Sequence, residues 1–385
     1  MIITIVCDVL GEENNGTTVA AMNLINAMKK FGHEVRVLCG NESHRGEEGY
    51  YVTREYRFIP PLSAYIAKVG VELSAPDKKV INEALQGADA VHIMTPFILG
   101  NAALRSARKM KIPVTAGFHC QAENVTSHFH LMDVDAANNL IYKAMYDLFY
   151  KNVDCIHYPT QFIRNIFEKH VGETKGVVIS NGVSSMFCRN RKEKPDSFLG
   201  RFVILTSGRY GKEKSQHILL EAVQMSKHEN DIQVILAGQG PLHDKLEKTG
   251  AALTNPPVMK LFERAELVNV INYSDLYVHA AEVDLEAIAC LEAMACGLVP
   301  VIAESPKCAT KKFALSENNL FKVNDPTSLA SKIDYWIEHD EARKQAEISY
   351  QKYAQQFRLE NCMRQMEQMI INCARQCATE RYMSC

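Results

Sequence analysis

The chain alternates strand-like and helix-like segments along its whole length, and this alternation limits its fold more than any other feature. Residues 2–7 form a continuous apolar run, as a strand covered on both faces should. The stretch 17–40 then shows apolar residues near helical spacing, a stop at Gly32 and a second strand-like run at 35–38. Strand–helix alternation with short connectors is typical of parallel sheets with right-handed crossovers. The sequence therefore predicts an α/β protein.

A second series of strand-like segments begins near residue 200, after the polar, basic, proline-containing stretch 188–197. With 385 residues, the chain also exceeds the roughly 250–300 residues of a single core. We predict two doubly wound, Rossmann-like domains, 1–190 and 191–385, with the last helix (about 343–375) crossing back to the first domain. Ligands of such domains bind beyond the carboxyl ends of the strands, so two facing domains would form a cleft.

Composition excludes several classes of protein. The net charge of −2 gives no global case for nucleic-acid binding. The N-terminus, "MIITIVCDVL", lacks a basic leader and reads as a first strand rather than a signal peptide. No stretch approaches the roughly 18 apolar residues that span a bilayer. We expect a cytoplasmic protein.

Twelve cysteines are scattered singly along the chain. The closest pair, Cys373 and Cys377, has helical i, i+4 spacing, with no second pair or histidine at zinc-like spacing. This pattern favours reduced thiols, with no disulfide and no structural metal.

Two glycine-containing loops follow strand-like runs of the second series. In "SGRYGKEKS" (207–215), Arg209 and Lys214 stand on either side of a glycine turn. Such a pair can hold a diphosphate, the guanidinium as a fork and the ammonium as a point charge; two solvated basic residues are the alternative. "GQGP" (238–241) is an incomplete dinucleotide fingerprint, and no Walker A sequence occurs.

A third loop leads from a strand at 276–279 into a short apolar helix that carries carboxylates. We expect this helix to begin near Glu286, aiming free N–H groups and the positive end of its dipole at a ligand. Asp284 and Glu292 would lie roughly 80° apart around a helix of about 3.6 residues per turn. Paired carboxylates accept hydrogen bonds from sugar hydroxyls, which favours a nucleotide sugar as the ligand. The alternative is that these carboxylates lie on a partly solvated helix edge without a ligand.

These loops, in this order and spacing, resemble the retaining glycosyltransferase family 4 with the GT-B fold. The resemblance rests on "NNGTTVAAMNLINAMKKFGHEV", "GFHCQAEN", "ISNGV", "SGRYGKEKS", "AGQGP" and "LEAMACGLVPVIA", and it covers nearly the whole chain. Within "AGQGP", Gly238 is a candidate donor contact. The segments 76–79, 95–100 and 118–128 are most similar to bacterial enzymes that glucosylate diacylglycerol.

The resemblance implies how the donor phosphates are held. Arg209 and Lys214 match the family's diphosphate-binding pair. The backbone amides of Ala287 and Ile288 would meet the distal phosphate. Gly16 matches a glycine loop that approaches the phosphates from the N-terminal domain.

The resemblance also implies sugar contacts, with one departure. Glu292 matches the ribose-binding second glutamate of the Glu-x7-Glu motif. The first glutamate is replaced by Asp284, and Glu286 stands where a small glycine is expected, so Asp284, Glu286 or Glu282 contacts the donor sugar. His119 matches the active-site histidine near the sugar O6; a core histidine is the alternative.

The implied reaction moves a hexosyl group, expected to be glucosyl from UDP-glucose, to an acceptor hydroxyl with retained configuration. The family pattern has no catalytic nucleophile, so front-face attack is expected, with positioning and charge stabilisation as the main effects. Arg209, Lys214 and the helix start replace a divalent metal, and no cofactor is expected. A protein that binds nucleotide sugars without turnover is the alternative, since Asp284 and Glu286 depart from the pattern.

The acceptor is expected to be a lipid such as diacylglycerol, with a soluble sugar or glycan as the alternative. The apolar stretch 59–73 and the basic residues Arg105, Arg108, Lys109 and Lys111 predict contact with an anionic membrane surface. A helix packed on its own domain, with a solvated basic edge, explains them equally well.

Overall fold

The computed structural model describes residues 1–8, 10, 16–55, 73–127 and 131–383. The chain divides into two compact units. Unit 1 comprises Met1–Asn181 and Glu360–Cys385, and unit 2 comprises Gly182–Leu359. The division therefore falls before the linker that the sequence predicted, and 182–190 belong to unit 2. The stretch 343–375, expected as one helix, contains two, because a short 3-10 turn at Gln355–Phe357 separates them.

Unit 1 is built on a parallel sheet. Its strands are β1 (Ile2–Cys7), β2 (Glu34–Cys39), β3 (Tyr50–Val52), β6 (Ala90–Ile93), β7 (Val114–Gly117), β8 (Cys155–Tyr158) and β9 (Gly176–Val178). They lie in the order β3-β2-β1-β6-β7-β8-β9 with parallel pairing throughout. A separate antiparallel pair is formed by β4 (Arg54–Glu55) and β5 (Ser74–Ala75).

Helices connect these strands, as the alternating pattern predicts. They are α1 (Gly16–Lys30), α2 (Lys78–Leu85), α3 (Ile98–Lys109), α4 (Ala122–Ser127), α5 (Asp135–Leu148), α6 (Gln161–Val171) and, from the chain's end, α13 (Leu359–Met383). The His33 ring contacts the Glu367 carboxylate at 2.8 Å, which ties α13 to the end of α1. Asp8 accepts bonds from the Leu99 and Gly100 N–H groups at 3.1 and 3.0 Å, so it caps α3 from the end of β1.

Unit 2 has a second parallel sheet. Its strands are β10 (Phe202–Ser207), β11 (Ile232–Ala237), β12 (Val258–Lys260), β13 (Leu276–His279), β14 (Pro300–Glu304) and β15 (Leu320–Lys322). They lie in the order β12-β11-β10-β13-β14-β15, again with parallel pairing. The helices are α7 (Gln216–Met225), α8 (His243–Gly250), α9 (Arg264–Tyr273), α10 (Ile288–Ala295), α11 (Pro326–Glu338) and α12 (Asp340–Ala354).

The two central strands of unit 2, β10 and β13, are buried on both faces, which explains their continuous apolar sequences. From β10 the chain continues to β11 on one side, and from β13 it continues to β14 on the other. The sheet therefore changes direction between β10 and β13, and open α/β sheets bind ligands at such a point. The predicted class, two Rossmann-like α/β domains, is confirmed.

Candidate functional site

Four loops of unit 2 join at the carboxyl edge of its sheet. The loop after β10 is bonded to the loop after β11, with Tyr210 N–H donating to the Gln239 carbonyl at 2.9 Å. It is also bonded to the loop after β13, where Glu282 N–H donates to the Glu213 carbonyl at 2.8 Å. Ala309 N–H, after β14, donates to the Asp284 carbonyl at 2.9 Å. These bonds fix the loops into one continuous surface.

The glycine turn after β11 is required by close packing. A Cβ atom on Gly238 would lie 2.1 Å from the Gly208 carbonyl oxygen, and one on Gly240 would lie 2.7 Å from the Tyr210 backbone. Backbone atoms cannot yield as a flexible side chain can. Gly238 therefore brings its loop against the loop that carries Arg209, which is consistent with its expected place beside a donor.

Lys214 and Asp284 form a direct ion pair across the β10/β13 switch point. Lys214 Nζ donates to Asp284 Oδ2 at 2.5 Å, and His279 Nε2 lies 3.6 Å from the same oxygen. Burial alone would raise the pKa of Asp284, but the Lys214 ammonium and His279 outweigh burial and lower this pKa to about 2. Burial would likewise lower the pKa of Lys214, yet Asp284 raises it. Both groups are charged at neutral pH.

Asp284 also organises the start of α10. Its Oδ1 accepts a 2.8 Å bond from Ala287 N–H and a 3.3 Å bond from Glu286 N–H. Ala287 itself has a left-handed backbone (φ 56°, ψ 62°), which is unfavourable for a residue with a Cβ. The helix begins at Ile288 rather than near Glu286. The Ala287 N–H, expected to meet a phosphate, is bonded to Asp284 instead in this structure.

The other two carboxylates considered for the sugar contact lie in different surroundings. Glu282 pairs with the Lys307 ammonium at 3.2 Å and accepts from the Asn324 amide at 3.3 Å. Glu286 is buried. Burial lowers the pKa of Lys312, and the Glu286 carboxylate opposes that lowering, so the two charges are close enough to interact. Among the described ion pairs, Asp284 bonds to Lys214, whereas Glu282 and Glu286 do not.

Glu292 lies inside α10 and is almost fully buried, at 3% exposure. The Arg264 guanidinium, from the first residue of α9, contacts Glu292 Oε1 at 2.8 Å. Burial raises the pKa of Glu292 to about 7, although Arg264 opposes the rise. Glu292 therefore has a cationic partner of its own, different from that of Asp284.

The expected site residues of unit 1 are His119 and Gly16. His119 follows β7 and is buried, and a Cβ on Gly117 would lie 2.3 Å from its Nε2. Within the described part of the chain, this Nε2 has no hydrogen-bond partner. Burial, followed by the neighbouring rings of His157 and His92, holds the pKa of His119 well below its ordinary value. Gly16 begins α1, and a Cβ there would meet none of the described atoms within 4 Å.

Arg264, His279 and Cys308 belong to this region and were given no role from sequence. Each stands at or after the carboxyl end of a strand, which is the positional signal that could have found them. Cys308 Sγ lies 3.9 Å from His279 Nε2, the same nitrogen that faces Asp284. A nucleophilic triad needs the histidine to use opposite nitrogens, and burial raises the pKa of Cys308 to about 12. This trio is therefore not a thiol-hydrolase centre.

The residues expected to contact a membrane differ in how the structure describes them. Of the apolar stretch 59–73, all but Leu73 lies outside the described residues. Arg105, Lys109 and Lys111 are exposed. Arg108 is exposed as well, but it pairs with Asp154 at 2.8 Å, so its charge is already partly neutralised. Among the described helices, none is long and apolar enough to cross a bilayer.

The described cysteines are free thiols. One group of side chains in unit 1, Asp154, Cys373 and Cys377, brings three possible metal-binding atoms within 4.8 Å of one another. Asp154 already accepts bonds from Arg108 and from Val114 N–H. Burial also raises the pKa of the Cys373 thiol, which disfavours the thiolate that a metal requires.

Unit 2 thus presents charged side chains at its switch point. They are the Lys214 ammonium paired with Asp284, the loop that carries Arg209, and Glu292 paired with Arg264. Such a surface suits an anion flanked by hydroxyl groups, since cations hold the anion and carboxylates accept from the hydroxyls. The one Cys–His contact described on this surface, Cys308 with His279, lacks the geometry and the thiolate of a nucleophile pair.

Comparison with known proteins agrees with this chemistry. Residues 14–185 match the family "Glycosyltransferase Family 4", and residues 189–354 match "Glycosyl transferases group 1". An alpha-monoglucosyldiacylglycerol synthase of Acholeplasma laidlawii is 24% identical over 90% of this chain and 92% of its own length. A GDP-mannose-dependent alpha-mannosyltransferase of Corynebacterium glutamicum is also 24% identical, over 75% of this chain and 68% of its own.

A solved structure that spans nearly the whole chain shares the two-domain fold. HepE of Anabaena, determined in complex with UDP and glucose, superposes with a TM-score of 0.74 at 17% identity, covering 97% of this chain and all of its own. The catalytic domain of the Helicobacter pylori cholesterol-alpha-glucosyltransferase is 42% identical over 40% of this chain and 98% of its own, with a TM-score of 0.40.

Proposed function

Because the chain belongs to the family 4 glycosyltransferases, we propose that it transfers a glucosyl group from UDP-glucose to a lipid acceptor such as diacylglycerol, with retained configuration. The observation that carries the donor part is the Lys214–Asp284 pair at the β10/β13 switch point, beside the Arg209 loop. This is where a parallel α/β sheet binds its ligand, and the charges there match a diphosphate between two sugars.

The donor would be held by unit 2. Arg209 and Lys214 would contact the diphosphate, and Glu292 would accept bonds from the ribose hydroxyls. On arrival of the diphosphate, Lys214 would gain a second anionic partner beside Asp284. Asp284 would be the first choice for the donor sugar, because it already lies next to Lys214. Glu286 would be the second choice, and Glu282, which pairs with Lys307 and Asn324 rather than with Lys214, would be the third.

The proposed reaction breaks the bond between the sugar C1 and the diphosphate oxygen and forms a bond from C1 to the acceptor oxygen on the same face. The acceptor proton passes to the departing diphosphate. Negative charge on the diphosphate grows as its bond breaks, so fixed cations stabilise the transition state more than the bound donor. We propose that Arg209 and Lys214 supply this charge without a divalent ion, and activity undiminished by EDTA would support that.

His119 would serve as a neutral hydrogen-bonding group for the donor sugar. Its buried Nε2 has no partner among the described residues, and an unsatisfied buried nitrogen is costly unless a ligand or water pairs with it. A sugar hydroxyl near O6 would satisfy it. Gly16 would leave room for the donor phosphates, since no atom of the described residues lies within 4 Å of its Cβ position.

The lipid acceptor is supported by two relatives named alpha-monoglucosyldiacylglycerol synthase, from Acholeplasma laidlawii and Streptococcus pneumoniae, both 24% identical. The exposed cations Arg105, Lys109 and Lys111 would favour an anionic membrane surface, where each is worth about 1 kcal/mol. We therefore propose a cytoplasmic protein that acts peripherally at the membrane.

A second donor, GDP-mannose, is favoured by the mannosyltransferase relatives, whose identity of 24–25% equals that of the glucosyltransferases. The two donors share diphosphate and ribose, so the charged surface described here suits both. The base and the hexose hydroxyls distinguish them, and only measurement of both donors separates the two proposals.

The proposal is tested first by donor binding. Calorimetry with UDP and GDP should show that Arg209→Ala and Lys214→Ala each weaken binding by about 10- to 100-fold, the value of a hydrogen bond between charged groups. Lys212→Ala, which removes an exposed lysine from the same loop, is the matched control and should bind normally. If the two variants bind as tightly as the wild type, the diphosphate lies elsewhere.

The acceptor is tested by a screen of UDP-glucose and GDP-mannose against diacylglycerol, cholesterol and soluble sugars, with products identified by mass. Transfer to diacylglycerol in liposomes supports the proposal. Efficient transfer to a soluble sugar alone would assign glycan synthesis, and nucleotide binding without any transfer or hydrolysis would indicate a binding protein.

A further inference from the structure

The Glu292 carboxylate is buried inside α10, and the Arg264 guanidinium of the same unit accompanies it. Arg264 Nη2 lies 2.8 Å from Glu292 Oε1. The guanidinium is itself held in place, because its carbon lies 4.7 Å from the centroid of the buried Phe187 ring. Phe187, Arg264 and Glu292 therefore form a stacked and hydrogen-bonded series.

We propose that Arg264 is a positioning residue for the nucleotide ribose, which keeps Glu292 ionised and oriented so that the carboxylate accepts the ribose hydroxyls. The inference rests on the proposed function, since it assumes a ribose at Glu292. It holds for UDP and GDP alike, because the ribose is common to both.

Ionisation of Glu292 matters because its two states bind a ribose differently. An ionised carboxylate is acceptor-only, with about four lone-pair sites, so one bond to Arg264 leaves capacity for two hydroxyl donors. A protonated carboxyl presents an O–H donor and a weaker acceptor. Burying an unpaired carboxylate costs several kcal/mol, so the group would take up a proton if Arg264 were removed.

The pKa of Glu292 shows how finely this state is balanced. Burial raises the pKa to about 7 even with Arg264 in place. Among the described residues, the other titratable groups that interact with Glu292 are Tyr277 of β13 and Cys296 at the end of its own helix. Burial raises the pKa of Tyr277 well above its ordinary value and that of Cys296 to about 12. Neither changes its charge between pH 6.5 and pH 9, so a pH effect in this range reports on Glu292.

The test compares UDP with 2′-deoxy-UDP and 3′-deoxy-UDP by calorimetry from pH 6.5 to pH 9. All three share the same phosphate titration, so their affinity ratio isolates the ribose hydroxyls. Wild type should favour UDP by roughly 10- to 100-fold at pH 8, the value of a hydrogen bond to a charged group. Arg264→Met should reduce this ratio to a few-fold at pH 7 and recover it toward pH 9, as Glu292 ionises.

Matched variants separate positioning from other roles. Arg264→Lys, which keeps a charge but loses the planar fork, should retain a ratio and pH profile nearer to wild type. Arg201→Met removes an arginine that bonds Gln233 at the opposite edge of the sheet, and it should change neither. In a Glu292→Gln background the ratio should no longer depend on pH, and Arg264→Met should have no further effect on it.

Two results would overturn the inference. One is an Arg264→Met protein with the wild-type ratio at every pH. The other is a variant that loses UDP and both deoxy analogues equally, since Arg264 would then contact the base or phosphates. If wild type binds neither UDP nor GDP, and also neither deoxy analogue, the proposed function fails first and the inference with it.

Discussion

Replacing Lys214 with methionine should destabilise unit 2, in addition to weakening donor binding. Asp284 has 13% of its side chain exposed and Lys214 has 26%, so the substitution leaves a largely buried carboxylate without its cation. The pKa of Asp284 falls from its ordinary 3.8 to about 2, which corresponds to about 2 kcal/mol in favour of the folded, ionised state. Loss of one partner from a fully buried pair costs about 3–5 kcal/mol, and partial exposure reduces that figure. We therefore expect a loss of about 2–3 kcal/mol.

The single tryptophan of the chain makes this measurable. Trp336 lies in unit 2, is 3% exposed and donates to the Asn318 carbonyl at 2.9 Å, so its fluorescence reports the unfolding of that unit. With a urea dependence of about 2 kcal/mol per molar, Lys214→Met should lower the midpoint by about 1 M. The contribution is fully present above about pH 4 and is lost as pH falls through 2, because the folded pKa of Asp284 is the lower one.

The double variant Lys214→Met/Asp284→Asn is the decisive control. It removes both charges, while the asparagine Oδ1 can still accept the Ala287 N–H. It should recover most of the lost stability, because the cost lies in the uncompensated carboxylate. A Lys214→Met protein as stable as wild type, or a double variant no more stable than Lys214→Met alone, would refute this reasoning.

Three further predictions follow from the geometry. Gly238→Ala should strongly lower both the stability of unit 2 and its nucleotide binding, because the added methyl group meets the Gly208 carbonyl oxygen at 2.1 Å. Gly16→Ala, whose Cβ meets no described atom within 4 Å, should fold normally, and circular dichroism compares the two. Ala287→Gly should stabilise unit 2 by up to about 1 kcal/mol in urea unfolding, because glycine adopts the left-handed backbone at φ 56° freely; a loss of stability would show that this turn is unstrained. Burial lowers the pKa of His92 to about 3 and that of His157 to about 4. Below about pH 6.5 the unfolded chain therefore binds protons at these histidines that the folded chain does not bind. As pH falls below that value, the free energy of unfolding of unit 1 should decrease by up to about 1.4 kcal/mol per pH unit for each histidine. Imidazole NMR should find neither ring protonated at pH 5.5, and a titration of either near 6.5 would contradict the burial argument.

Much of the fold could be predicted from sequence because a parallel strand covered on both faces has a continuous apolar run. The strands 232–237 and 276–279 have the bounds that the sequence predicts, and each run begins directly after an aspartate. The boundary between the two units was harder to predict from the sequence. Residues 182–190 look like the end of the first series, yet Val183 N–H bonds to the Phe357 carbonyl of unit 2, a contact far apart in sequence.

In the candidate site, too, contacts between residues far apart in sequence could not be predicted. Placement after strand ends predicts that the loops of Arg209, Lys214 and Asp284 share one sheet edge, because the edge rule needs only the order of elements. The pairing of those side chains did not follow from it. That Asp284 bonds to Lys214 and to the Ala287 N–H, and that Glu292 bonds to Arg264 from a different strand–helix connection, depends on side-chain directions fixed by tertiary packing. The short helix began later than its pattern suggested, because Ala287 takes a left-handed conformation.

The most direct test of the proposed activity follows the sugar itself. The protein would be incubated with UDP-glucose carrying ¹³C at C1 and diacylglycerol liposomes, and the lipid product would be examined by NMR and mass spectrometry. The account predicts that the label appears in a glucosyl lipid whose C1 has the α configuration of the donor, and that Lys214→Met abolishes its formation while Lys212→Ala does not. A β-linked product would contradict the retaining mechanism, and label released only as free glucose would contradict transfer to lipid.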